Sequence, residues 1–166
     1  MRDLYRSAWA AVALVSAACA GAPVLYENPK HSIAVQVPEG AGAPSESEGV
    51  TRPDICEGPT LSVTWYRGGL RTRLFGSASG FSVFTCRLRQ PRGVDELLQI
   101  EKASFEAKGG VTKSGGSGSI DGSVDGSVSR LAIKVIRGRM IMAMVVAQTQ
   151  DALYGPEATL FLESVR

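Results

Sequence analysis

The sequence predicts a single α+β domain in which an antiparallel β-sheet is flanked by helices. Stretches with an apolar residue at every second position are separated by short glycine-marked turns, the signature of hairpins rather than of parallel crossovers. Two stretches of helical period, after Pro91 and after Gly155, interrupt the strands without regular strand–helix alternation. The chain has 166 residues, 44% hydrophobic and 20% charged, long enough to bury one core and too apolar for a disordered polymer.

The N-terminus reads as an address. In MRDLYRSAWAAVALVSAACA, Arg2 and Arg6 precede an apolar stretch from Ala8 to Val15, too short to span a bilayer and laid out like a secretory signal. Two cleavage patterns overlap there. Ala18-Cys19-Ala20 fits a small-x-small site before Gly21, whereas Val15-Ser16-Ala17-Ala18-Cys19 resembles a bacterial lipobox, with Ser16 where leucine is usual. Cysteine parity favours the second, because a lipidated Cys19 leaves the even pair Cys56 and Cys86. Residues 1–18 are therefore expected to be a signal peptide and Cys19 the first mature residue, which places the protein in the cell envelope. The other cleavage makes it periplasmic or secreted.

Residues 19–30, with Pro23 and Pro29, read as a tether to a domain spanning 31–166. In 31–38, Ile33, Val35 and Val37 alternate as a strand with one apolar face. Residues 39–59 have no apolar period and read as a long loop. Leu61, Val63 and Trp65 mark the next strand, Gly68-Gly69 a hairpin turn, Leu70 to Phe75 its partner, and 76–80 a second turn. From Phe81 to Arg89, Ser82, Phe84, Cys86 and Leu88 form the better core face. Val94, Leu97, Leu98, Glu101, Phe105 and Lys108 then recur at helical spacing, with Asp95 and Glu96 near the positive end of the dipole and Gly109-Gly110 as the stop. Residues 114–119 read as a flexible Gly/Ser connection. Leu131, Ile133 and Val135 line a strand that turns at Arg137-Gly138-Arg139 into a partner from Met140 to Gln148. Pro156 opens a closing helix from its first position.

Residues 79–166 resemble the PsbP-like α+β family, including its bacterial lipoprotein relatives. The resemblance rests on Phe81-Ser-Val-Phe-Thr-Cys, the helix from Val94 to Gly110, Val124-Asp-Gly-Ser and Ala132 to Val146, which look like the family's glycine-marked strand and basic-turn hairpin, and the closing EATLFLESVR, where Val165 stands in for the family's last aromatic. It implies a sheet flanked by helices and a non-enzymatic binding or accessory role, and transfers no ligand.

The residues themselves offer little catalytic chemistry. His31 is the single histidine, without a local carboxylate, and reads as a satisfied or surface side chain. Asp121-x-Ser123-x-Asp125-Gly126 starts like a calcium loop but reaches Ala132 where the closing Glu belongs, so a pair of Asp-Gly turns is the expected reading. Gly76-Ser77-Ala78-Ser79-Gly80 centres alanine where a nucleophile elbow needs serine. No cofactor and no metal are expected. In an exported chain Cys56 and Cys86 are a candidate disulfide; two separate buried thiols are the alternative. Met140, Met142 and Met144 share one strand face and suit packing in the core or under a helix.

Net charge is only +2, which excludes the strongly basic footprint of a general nucleic-acid binder. The charges are nevertheless segregated. Residues 67–92 carry six arginines and 130–139 four more cations, with no acid in either run. Arg71, Arg73, Arg87 and Arg89 form a candidate patch for an acidic envelope polymer or protein, against a solvated sheet face balanced by the acidic 39–57 segment. Together these readings predict an exported, lipid-anchored binding or accessory protein without catalysis, with the membrane as partner through the anchor. A small secreted or periplasmic hydrolase is the alternative.

Overall fold

Strand after strand turns back on its neighbour. The structure is a computed structural model, and it describes residues 22–67, 79–114, 118–124 and 126–166. The order is β1 (Val24–Asn28), β2 (Ile33–Val37), β3 (Ser45–Gly49), β4 (Cys56–Tyr66), β5 (Gly80–Leu88), α1 (Val94–Glu106), β6 (Val111–Ser114), β7 (Ser119–Val124), β8 (Ser127–Ile136), β9 (Arg139–Ala147), α2 (Gln150–Leu153) and α3 (Pro156–Ser164). β1 and β2 pair as a separate hairpin, and the other seven strands form one sheet in the order β3-β4-β5-β9-β8-β7-β6. Every neighbouring pair is antiparallel.

The register makes two cores, one on each side of this sheet. Opposed residues share a face, so Leu61, Val63 and Trp65 of β4 line up with Thr85, Val83 and Phe81 of β5, and these with Ile141, Ala143 and Val145 of β9. This face is closed by Ile33, Val35 and Val37 of the hairpin and by Leu153, Ala158, Phe161 and Val165 of the C-terminal segment. The Phe161 ring meets Trp65 at 6.1 Å and Phe81 at 5.2 Å between centroids. The last residue ties down the hairpin, because Arg166 and Ala34 exchange both backbone hydrogen bonds, at 2.8 and 3.1 Å. On the other face Cys86, Leu88, Ile133 and Met140 pack with Ile55 and with Leu97 and Leu98 of α1.

The α+β class with a helix-flanked sheet is thereby corrected. Among the described residues nine strands stand against two helices longer than one turn, and much of one face is covered by a β-hairpin instead of a helix. The protein is mostly β. The difference arises in segments without apolar alternation. VLYEN, inside the expected tether, is β1 because Tyr26 and Val24 pair with Val35 and Val37. SESEG, inside the expected loop, is an exposed edge strand held by β4. The Gly/Ser connection joins two paired strands, β6 and β7. The core face assigned to 81–89 is half of the answer: Phe81 and Val83 are as buried as Cys86 and Leu88, since β5 is central in the sheet and covered on both sides.

Other elements follow the sequence. α1 carries Asp95 and Glu96 in its first turn and is followed by Gly109 at φ +83°, while Pro156 sits in the first turn of α3. The β8–β9 turn places Arg137 at φ +51° and Gly138 at φ +74°, the two successive left-handed residues of a tight hairpin turn. The expected turn at Gly68-Gly69 and its partner strand to Phe75 lie outside the described residues.

Candidate functional site

The two cores are not equally sealed. Seven strands at roughly 4.8 Å spacing make a sheet about 29 Å across, while one helix with its side chains covers about 10 Å of that width. Among the described residues α1 is the one helix packed on its side of the sheet, over β6, β7 and β8. Beside it Ile120, Leu131 and Met142 are left half-buried. The result is a groove of about 200 Å³ with Ile120, Leu131, Met142 and Met144 on its floor and Phe105 as one wall. Ser104, Thr112, Ser129 and Lys108 supply polar atoms around it.

Gly122 sets the shape of that wall. Its missing side chain is what lets Phe105 lie against β7, since a Cβ there would stand 2.6 Å from Phe105 Cζ. Glu101, which also lines the groove, is committed to Arg52, whose Nη1 donates to its Oε1 at 2.6 Å. The groove is thus an apolar slot with a polar edge. Its volume lies below the 300–1,000 Å³ of ordinary small-molecule pockets, which suits one end of a ligand rather than a whole one.

A second concavity, about 350 Å³, lies on the opposite face between β8 and α3, with Arg130, Lys134, Thr159 and Glu163 around it. Its cations already have partners. Lys134 Nζ donates to the carbonyls of Glu163 and Val165 at 2.8 and 2.7 Å, tying the end of α3 to the sheet. The Arg130 guanidinium stacks over the Tyr154 ring at 4.7 Å, and its Nε stands 3.8 Å from Asp121 Oδ1. Tyr154 donates its hydroxyl proton to Asp121 Oδ2. That hydrogen bond to a carboxylate, with burial adding to it, raises the phenol above its ordinary value.

The residues singled out in the sequence are dispersed. Cys19, Arg71 and Arg73 lie outside the described residues. Cys56 and Cys86 form a disulfide with Cα atoms 5.7 Å apart, buried under α1. Arg87 and Arg89 are exposed at the end of β5, with Arg87 Nε 3.9 Å from Glu57. Arg67 is no surface charge: it is buried, stacks on Phe81 at 5.6 Å, and donates to Glu157 Oε2 at 2.6 Å and to the Glu39 carbonyl at 2.5 Å.

Asp121 of the calcium-like sequence is spent on Tyr154 and Arg130, and Ala132 pairs with Ala143 inside the sheet. Met140 is fully buried, and Met142 and Met144 are half-buried under α1, as their spacing on one strand face implies. His31 does have a carboxylate partner, distant in sequence: its Nε2 is 3.1 Å from Glu48 Oε1. With Lys30–Glu48 and Tyr26–Glu46 this makes a clasp between the hairpin and β3. His31 lines neither concavity.

Sequence reasoning missed Phe105 and Gly122 as groove residues and the Arg67–Glu157 pair, whose members stand 90 residues apart. The signal for Phe105 was its place on the apolar stripe of α1; nothing local marked Gly122. No protein-family model matches the chain, and neither a curated protein nor a solved structure matches it.

Proposed function

We propose that this is an exported cell-envelope protein, held to the membrane by a lipid on Cys19, that acts as a binding or accessory module without catalysis. The groove beside α1 is its binding surface. The observation that carries this reading is the incompletely covered apolar floor of Ile120, Leu131, Met142 and Met144, edged by hydroxyls and one lysine. Such a slot favours the apolar end of an amphipathic molecule, whose polar end stays at the edge.

Three further features support the reading. The N-terminus has a signal layout ending in a lipobox-like cysteine. The disulfide fits an oxidising compartment. An accessory role is what the PsbP-like resemblance implies.

The test is titration of an apolar fluorescent dye, anilinonaphthalene sulfonate, into the folded protein and into Met144→Glu, which places a carboxylate on the groove floor. Saturable binding of one dye per chain, lost in the variant, is expected. Absence of saturable binding by the unchanged protein, or equal binding by both, overturns the groove as the binding surface.

A further inference from the structure

Four arginines flank a single backbone hydrogen bond on one strand-end rim of the large sheet, midway across it. The Leu88 N–H donates to the Gly138 carbonyl at 2.8 Å. Leu88 stands between Arg87 and Arg89, and Gly138 between Arg137 and Arg139. Arg87, Arg89 and Arg137 are exposed and Arg139 is half-buried. Among the described residues Glu57, 3.9 Å from Arg87, is the one carboxylate within ion-pair distance of any of them.

The rim here also violates two local rules. Arg87 and Arg139 face each other directly across the β5–β9 pair, where like charges oppose pairing. Arg137 holds φ +51°, a conformation in which glycine or asparagine is strongly preferred and a long side chain is penalised. Local costs concentrated at one solvent-facing spot point to use of that spot.

We propose that this rim binds a linear polyanion bearing a phosphate or carboxylate on each repeat. All four positions carry the planar guanidinium that meets such groups two hydrogen bonds at a time. Three of them are exposed and the fourth half-buried, on strand ends and a turn outside both concavities described above, which fits a chain laid across the rim better than a single enclosed anion.

This rim is at the opposite end of the strands from the place where the chain enters the fold. β1 begins at Val24, opposite Val37. The chain leaving Val37 meets the far end of the sheet where Gly42 donates to the Tyr66 carbonyl at 2.9 Å, beside Gly80. From Gly80 to Arg87 the strand runs roughly 23 Å. A protein tethered through Cys19 therefore turns this rim toward polymers of the envelope, away from its own leaflet. That choice of source rests on the anchored reading above; the anion site itself does not.

The test uses the full chain carrying Cys19→Ala, so that it is read without any anchor, with long-chain polyphosphate and polygalacturonate as probes at low and high salt. Salt-sensitive binding to either probe is expected, and which of them binds names the anionic group. Arg137→Asn with Arg139→Thr should weaken it about tenfold at low salt and flatten its salt dependence. The same variant should unfold at an equal or higher temperature, because it relieves both local costs. Lys102→Gln with Lys113→Gln, an equal change of net charge elsewhere, should leave binding nearly unchanged. No binding by the unchanged chain, an equal loss in the lysine control, or a lower unfolding temperature in the arginine variant overturns the proposal.

Discussion

Reducing the Cys56–Cys86 bridge should cost this protein a large share of its stability. The bridge closes a loop with a sequence separation of 30, for which the chain-entropy relation gives about 12 cal/mol/K, or ~3.6 kcal/mol at 25 °C. Against the 5–15 kcal/mol that holds a typical domain together, this corresponds to a fall in Tm of roughly 7–14 °C. Reduction is the cleaner perturbation, because both sulfurs stay in the buried site and packing changes little. Both cysteines are at most 2% exposed, so the reductant must be added to unfolded protein before refolding. Urea melts of oxidised and reduced protein then give the difference. The reduced form should show a lower midpoint and a larger slope, since its unfolded chain expands further. Coincident melts would refute the reasoning and return the two cysteines to separate thiols.

Gly122→Ala should cost about 1–3 kcal/mol, because the new methyl drives Phe105 off β7; urea melts alone and combined with Phe105→Ala check whether removing the ring relieves it. Arg67→Met should cost about 2–3 kcal/mol, less than a fully buried broken pair because Glu157 is one-third exposed and regains water. Adding Glu157→Gln should recover part of that loss in a double-mutant cycle. Glu48 is held below its ordinary carboxylate value first by the hydrogen bond from Lys30 and then by that from His31. Its depressed folded value means that the clasp stabilises above the unfolded carboxylate range and fades as pH falls through the folded one. The Tm difference between the protein and Glu48→Gln should therefore vanish in acid. Tyr154 has the opposite sign: its raised folded value keeps a stabilising contribution below the unfolded phenol range, lost as pH rises through the folded one. Ultraviolet titration should show late tyrosines, because burial also raises Tyr26, and Asp121→Asn should move back the Tyr154 part alone.

What could be read from the sequence was whatever a short segment states about itself. Ile33, Val35 and Val37, the Arg137-Gly138 turn and Pro156 at the start of α3 carry their own periods and turn chemistry. β1 and β3 do not: SESEG is a strand because β4 offers it an edge, and its glutamates are used by Tyr26, Lys30 and His31 of the hairpin. The covering hairpin, and with it the fold class, was hidden for that reason. The charge runs were visible, yet their division was not. Arg67 went into the core and Lys134 onto the end of α3, while Arg87, Arg89, Arg137 and Arg139 met on a strand-end rim that only the β5–β9 register creates. The groove was half legible, in the methionine stripe, and its wall depended on the contact between Phe105 and Gly122.

The most direct test of the account is the intact mass and membrane partition of the protein expressed from its full-length gene in a bacterium, beside Cys19→Ala. An acylated chain beginning at Cys19, recovered with membranes and released from them in the variant, is the predicted result. An unmodified chain beginning at Gly21 and recovered in the soluble fraction would contradict it.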